Sequence, residues 1–118
     1  MELKEYQERA MTTCIESSNN FSYMFLNLVG EVGEFASKVA KSIRKGENSI
    51  EYNNLGVTVI NNKELQKEAG DILWQLSGLC TVMGWSLEDV AQQNLDKLAA
   101  RKAVGTIDGN GDGIIRDK

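Results

Sequence analysis

Two segments of the chain carry closely spaced carboxylates beside apolar residues. GEVGE places Glu31 and Glu34 three residues apart, and EAGD does the same for Glu68 and Asp71. On a helix this spacing puts both side chains of a pair on one face. Such carboxylates repel each other and are costly to bury without compensation. A divalent cation between two facing helices would compensate all four, and facing helices of a bundle are a known place for such a site.

The composition narrows the choice of metal and of chemistry. The 118-residue chain has no histidine and only two cysteines, Cys14 and Cys80. Histidine general bases, catalytic triads and structural zinc sites are therefore excluded, and a di-iron bundle would need Glu-x-x-His pairs. Carboxylate and carbonyl ligands select hard cations such as magnesium, manganese or calcium. The two separated cysteines indicate core residues in a reducing cytoplasm.

Charge and hydropathy argue against two classes of partner. The net charge of -4 does not suit a protein that binds the phosphate backbone of a nucleic acid. No segment approaches the roughly 18 consecutive apolar residues that a membrane-spanning helix needs. The charged, amphipathic start MELKEYQERA is not a secretory signal. We therefore expect a cytoplasmic protein without a membrane or nucleic-acid partner.

Apolar residues recur at helical spacing in four segments, which predicts an all-α bundle. The predicted helices cover residues 2–18, 22–44, 63–83 and 87–102. Gly46 predicts the end of the second helix, and the capping-box pattern from Ser86 predicts the start of the fourth. Residues 1–104 then form one helical domain, and residues 105–118 a tail rich in glycine and aspartate.

Two further segments indicate an insertion and an oligomer. Residues 47–62 contain the β-branched run LGVTVI, which predicts a short extended or hairpin insertion between the second and third helices. YMFLNLV, near the start of the second helix, is apolar almost all round. A helix of this kind needs burial on more than one side, so we expect a second subunit to cover it.

The tail contains DGNGDG, which matches the opening of an EF-hand calcium loop. Asp108, Asn110 and Asp112 occupy the first three ligand positions of such a loop. Arg116 occupies the ninth position, and no glutamate stands at the twelfth. We therefore expect no calcium loop in the tail, and we assign the metal to the carboxylate pairs.

Three longer segments resemble the MazG-like nucleotide pyrophosphohydrolases of the all-α NTP pyrophosphatase superfamily. In chain order they are LVGEVGEFASKVAKSIRKG, ELQKEAGDILWQLSGL and SLEDVAQQNLDKLAARKAVGTI, within roughly residues 20–112. The family's motif is EExxE followed by ExxD. The resemblance implies a bundle of four or five helices, usually oligomeric, here a homodimer or homotetramer. It also implies hydrolysis of a nucleoside triphosphate to the monophosphate and pyrophosphate with magnesium, or manganese, in nucleotide-pool control or house-cleaning.

The resemblance also assigns roles to single residues. It makes Glu31, Glu34, Glu68 and Asp71 the metal ligands, and it places the NxxKLxxR pattern of the fourth helix beside the phosphates. The expected substrate-binding residues are Lys38, Trp74, Asn94, Lys97 and Arg101. Lys38 lies one turn after Glu34, and Trp74 is a candidate for stacking on the base. Without histidine a glutamate must serve as general base if any side chain does, and we select Glu34.

One position departs from the family's motif. Gly30 stands where the first glutamate of EExxE is expected. The four central carboxylates are kept, but one carboxylate of the motif is missing. This departure supports an alternative function on the same bundle, that of a non-catalytic regulatory protein that binds nucleotide or metal.

Overall fold

The computed structural model describes residues 1–46, 50–59 and 63–105, and for residues 57–59 it describes the backbone alone. The fold is all-α, as predicted. The elements in chain order are α1 (Leu3–Met11), a short 3-10 helix (Glu16–Ser18), α2 (Phe21–Lys45), β1 (Ile50–Asn53), β2 (Gly56–Val59), α3 (Lys63–Val82) and α4 (Leu87–Ala103). The predictions for the DGNGDG stretch and most of the tail concern residues 106–118, which lie outside the described residues.

Capping residues define the ends of the long helices. The Asn20 side chain accepts a hydrogen bond from the Tyr23 backbone N–H at 2.8 Å and so begins α2. Gly46 ends α2 in the left-handed conformation at φ 64°, which only glycine adopts readily. The Ser86 hydroxyl accepts from the Asp89 N–H at 3.3 Å and begins α4. The predicted positions of the Gly46 and Ser86 caps are confirmed, whereas the Asn20 cap was not predicted.

The first helix is shorter than its apolar pattern predicts. We expected a helix over residues 2–18, but α1 ends at Met11. The hydroxyls of Thr12 and Thr13 donate to the carbonyls of Arg9 and Ala10 at 2.6 and 2.7 Å. Side chains that bond to the local backbone in this way offer it an alternative to further helical turns. The prediction for residues 12–18 was therefore wrong.

A β-hairpin connects α2 to α3. Its strands are antiparallel, with Ile50 opposite Val59 and Asn53 opposite Gly56. The Asn53 side chain accepts from the Leu55 N–H at 2.8 Å, as asparagine does in turns. Gly56 follows with φ 125°, a conformation that other residues rarely adopt. The hairpin carries the chain from the end of α2 toward the start of α3.

The main helical contact joins α2 to α3, and it positions the carboxylate pairs. Met24 of α2 is fully buried against Gly78 of α3, whose missing side chain leaves room for the thioether. Gln75 and Cys80 of α3 are each 1% exposed in the same layer. Close approach at a glycine thus sets the distance between the two helices that carry all four carboxylates.

This contact predicts opposite effects for two glycine substitutions in α3. A Cβ at Gly78 would overlap the Met24 sulfur, whereas a Cβ at Gly70 would meet no atom within 4 Å. We expect Gly78→Ala to lower the free energy of unfolding by about 1–3 kcal/mol through overpacking. Gly70→Ala should raise it by up to about 1 kcal/mol, because alanine is the better helix former. Urea unfolding of both metal-free variants checks this, and a Gly78→Ala variant with unchanged stability would contradict the predicted overpacking, because it would show that the Met24 thioether moves aside.

The remaining helices pack around this pair. α1 lies against α3 and α4. Gln7 of α1 links all three helices by hydrogen bonds. Its side-chain amide donates to Thr81 Oγ1 of α3 at 2.9 Å and accepts from the Leu87 N–H of α4 at 2.8 Å. Among the described helices, none has the length and hydropathy needed to span a bilayer.

The outward side of α2 keeps a broad apolar surface exposed, which we call the α2 apolar face. Its members are Phe21, Phe25, Leu26, Val29 and Val32, and their exposed fractions lie between 45% and 67%. Phe21 and Phe25 stack with ring centroids 5.7 Å apart. Contiguous apolar patches of this kind on a folded chain mark interaction surfaces more often than scattered exposed residues do.

Candidate functional site

Three of the predicted metal ligands meet between α2 and α3. Glu31 comes from α2, and Glu68 and Asp71 come from successive turns of α3. One carboxylate oxygen from each of the three lies within 4.8 Å of the others. The i, i+3 spacing of Glu68 and Asp71 puts both on the side of α3 that faces Glu31. Helix packing thus gathers carboxylates that are distant in the sequence.

The cluster has acceptors that protein groups leave unsatisfied. Among the described residues, Glu31 Oε2 and Glu68 Oε2 are buried without a hydrogen-bond partner. Glu68 is 6% exposed as a whole residue. Buried carboxylate oxygens without a donor are unfavourable, and a cation offsets this cost. The donor set consists of carboxylate oxygens, which suits a hard divalent cation such as magnesium or manganese.

The electrostatics of Glu31 agree with this arrangement. Burial raises the pKa of the Glu31 carboxyl above its ordinary value of 4.5, and the negative charges of Asp71, Glu34 and Glu68 raise this pKa further. The Lys38 ammonium acts on it in the opposite direction. Burial and the neighbouring negative charges therefore make the ionised form of Glu31 unfavourable in the metal-free protein.

This raised pKa predicts a pH-dependent stability effect. At low pH the Glu31 carboxyl is neutral in both the folded and the unfolded chain, so it costs nothing. As the pH rises through the raised pKa, folding must keep an ionised group in an unfavourable place, and stability is lost. We expect Glu31→Gln to raise the melting temperature of the metal-free protein by a few degrees at neutral pH. The gain should vanish near about pH 4.

Differential scanning calorimetry across this pH range tests the prediction. Glu8→Gln, at an exposed position of α1, is the control, and it should leave the melting temperature unchanged both at neutral pH and near about pH 4. A lower melting temperature for Glu31→Gln at neutral pH would contradict the electrostatic account of the cluster.

The fourth predicted ligand, Glu34, lies one turn beyond Glu31 on α2 and is exposed. Its charge reaches Glu31, since it contributes to the raised pKa of that carboxyl. Its oxygens do not belong to the group of three within 4.8 Å. Glu34 thus stands at the open edge of the cluster, where water reaches it.

Lys38, predicted to contact phosphate, contacts a carboxylate. Its Nζ lies 2.7 Å from Glu68 Oε1. The Glu68 side chain is 8% exposed and that of Lys38 is 38% exposed, so the ion pair is shielded at one end and open at the other. The hydrogen bond to Glu68 is the main cause of the raised pKa of Lys38, which therefore carries its charge at neutral pH.

A cleft of about 200 Å³ opens beside the cluster. It is lined by the carboxylates Glu31 and Asp71 and by the side chains of Asn27, Trp74 and Gln75. The Asn27 amide donates to Gln75 Oε1 at 2.7 Å, which fixes both side chains. This amide pair was not predicted from the sequence. The sequence did contain a signal for it. Asn27 precedes Glu31 by four residues on α2, and Gln75 follows Asp71 by four on α3, so each amide shares a helix face with a carboxylate of the cluster.

Two aromatic residues connect α1 to the site. The Trp74 indole N–H donates to the Ala10 carbonyl at 3.1 Å and to Thr13 Oγ1 at 3.0 Å. The ring of Trp74 thus lines the cleft while its polar edge is engaged with the end of α1. Burial, and then the charge of Asp71, raise the pKa of Tyr6, so its hydroxyl lies in the field of the cluster. No pattern in the sequence pointed to Tyr6.

The predicted substrate residues of α4 do not line this cleft. Asn94 is exposed, and Lys97 and Arg101 are half-buried along α4. α4 lies mainly against α1 and α3. The structure therefore brings together Glu31, Glu68, Asp71, Lys38 and Trp74, and it leaves the three α4 residues on a separate element.

Carboxylates from facing helices of a bundle, beside an open cleft, place the chain in a class of all-α proteins that can hold a metal ion between helices. Within this class, a sequence-family model of the MazG nucleotide pyrophosphohydrolase domain matches residues 19–105. The chain belongs to the MazG nucleotide pyrophosphohydrolase family. α1 precedes the matched region.

A relative found among known proteins matches nearly the whole chain. The chain is 37% identical over 119 residues to the "Gene 37 protein" of Mycobacterium phage L5, covering 95% of this chain and 98% of that protein. That name describes no activity. No solved structure gives a significant match.

Proposed function

We propose that the protein is a magnesium-dependent nucleoside triphosphate pyrophosphohydrolase that converts (d)NTP to (d)NMP and pyrophosphate in nucleotide-pool control or house-cleaning. The observation that carries the proposal is the convergence of Glu31, Glu68 and Asp71 oxygens within 4.8 Å. Family membership supplies the reaction class. Manganese would serve as a substitute, since it accepts the same oxygen ligands.

Three of the carboxylates are proposed to bind the metal, and the fourth is proposed to take part in both binding and proton transfer. Glu31, Glu68 and Asp71 hold the cation, with Glu34 completing the set at its open edge. When bound, magnesium supplies positive charge that offsets the carboxylates and attracts the phosphate oxygens. This charge explains how a chain with a net charge of -4 accepts a polyanionic substrate.

Glu34 is the residue that we propose as general base. It is exposed at the edge of the cluster and close enough to influence Glu31. It takes a proton from a water molecule whose oxygen forms a new bond to the α-phosphorus. The bond from that phosphorus to the bridging oxygen breaks, and pyrophosphate leaves with the bond's electron pair.

The cleft is the proposed place of the nucleoside. The ring of Trp74 offers a stacking surface, and the fixed amides of Asn27 and Gln75 offer hydrogen bonds next to the carboxylates. Lys38 and the α4 residues Asn94, Lys97 and Arg101 are proposed to bind the phosphates. Because α4 stands apart from the cleft, this part of the proposal requires that the oligomer bring the α4 residues to the substrate.

The proposal includes a homodimer or homotetramer in the cytoplasm. The α2 apolar face needs a cover, and a second copy of the chain supplies an equivalent face. Cys14 and Cys80 are both free thiols, which suits a reducing compartment.

A nucleotide panel tests the reaction. Canonical and modified nucleoside triphosphates are incubated with the protein and magnesium, and the products are separated by anion exchange. Equal amounts of monophosphate and pyrophosphate support the proposal. Diphosphate with inorganic phosphate would indicate a different bond. Tight nucleotide binding without turnover would favour the regulatory alternative, which Gly30 at the first motif position supports.

A further inference from the structure

Lys38 already places a cation against one of the proposed metal ligands. Its Nζ lies 2.7 Å from Glu68 Oε1, at a carboxylate whose side chain is 8% exposed. The other oxygen of the same carboxylate is buried without a hydrogen-bond partner among the described residues. Lys38 thus provides a partner for one oxygen of the Glu68 carboxylate, and the second oxygen remains available to a cation in the cluster.

We propose that Lys38 is a counterion built into the site, which competes with the divalent cation for Glu68 and is released when that cation binds, becoming available to the phosphates. This inference rests on the proposed function. It adds an order of events, in which the divalent cation binds first and Lys38 then becomes available to the phosphates. The metal-free site is held together by Lys38, and the loaded site uses the same ammonium for the substrate.

Charge repulsion drives the exchange. An ammonium and a divalent cation that share one carboxylate lie a few ångströms apart, and such like charges repel strongly near a protein interior. Lys38 has a way out, because its side chain is 38% exposed and has a flexible four-carbon stem. It also follows Glu31 by seven residues, or two helical turns, so it shares the face of α2 that carries the cluster.

The exchange predicts effects of opposite sign. If Lys38 competes with the metal, its removal should tighten metal binding. If the released ammonium then binds phosphate, the same removal should weaken binding of the triphosphate. A residue that only held Glu68 in position would weaken both when lost. The direction of the change in metal affinity therefore distinguishes competition from support.

The experiment compares Lys38→Met with wild type, using manganese as the probe. Lys38→Met keeps the length of the stem and removes the charge. Calorimetric titration without nucleotide should show manganese bound about tenfold more tightly, which lies in the usual range of coupling between sites. At saturating manganese, a non-hydrolysable deoxynucleoside triphosphate analogue should bind about tenfold more weakly.

Two further variants complete the design. Lys41→Met, at an exposed position one turn further along α2, removes the same charge and should change neither affinity. Lys38→Arg keeps the charge and should bind manganese no more tightly than wild type. If Lys38→Met does not fold by circular dichroism, Lys38→Gln takes its place.

The outcomes separate this inference from the proposed function. Unchanged or weaker manganese binding by Lys38→Met, with a wild type that binds manganese and releases pyrophosphate, overturns the exchange alone. Tighter manganese binding with unchanged analogue binding overturns the release to phosphate. A wild type that does not bind manganese overturns the metal site and the exchange together.

Discussion

Asp71→Asn is expected to lower pyrophosphate release at least about a hundredfold, because the substitution removes one negative charge and one proposed metal ligand from a cluster of three. Asp71 is the most suitable member of the cluster for this test. It is exposed, so the change creates no buried unpaired group. Glu68, in contrast, is buried and paired with Lys38, and its loss would also affect folding.

The control for Asp71→Asn is Asp89→Asn on α4. Asp89 is exposed in the first turn of α4, outside the stretch that is proposed to bind the phosphates. The control should keep full activity, and both variants should keep the helical signal in circular dichroism. Near-normal hydrolysis by Asp71→Asn would refute the assignment of the site.

Leu26→Glu is expected to break the assembly. Leu26 has the largest exposed fraction on the α2 apolar face, at 67%. A carboxylate there would have to be desolvated when a second copy covers the face, which is strongly unfavourable. We expect wild type to be a dimer or tetramer at micromolar concentration, and Leu26→Glu to form smaller species by light scattering.

Gln66→Glu adds the same charge at an exposed polar position of α3 and should leave the assembly unchanged. If the α4 residues reach the substrate in the oligomer, Leu26→Glu should also lose activity in proportion to its dissociation. A monomeric wild type, or a Leu26→Glu variant with the wild-type mass, would contradict the assignment of this face.

The sequence predicted the features that depend on local spacing. Gly46 and Ser86 act on neighbouring backbone groups, so their effects on helix ends can be inferred from a few residues. The side-by-side placement of Glu68 with Asp71 follows in the same way from their i, i+3 spacing. The absence of histidine directed the metal assignment to these carboxylates before any fold was known.

Features that depend on contacts between helices were harder to predict. The approach of Met24 to Gly78 sets how α2 meets α3, and no local pattern specifies that pairing. The ion pair of Lys38 with Glu68 spans 30 residues, and sequence spacing alone assigned Lys38 to phosphate. The early end of α1 depends on the hydroxyls of Thr12 and Thr13, which bond to backbone carbonyls of the last helical turn. The regular spacing of apolar residues predicted a longer helix because it does not take these hydrogen bonds into account.

The most direct test of the account is the dependence of pyrophosphate release on magnesium. Wild-type protein is incubated with the preferred deoxynucleoside triphosphate, and pyrophosphate is measured as magnesium is raised from zero. The account predicts no release without a divalent cation, saturating release as magnesium is added, and little release by Asp71→Asn at any magnesium concentration. Pyrophosphate release that is unaffected by a chelator, or equal release by wild type and Asp71→Asn, would contradict it.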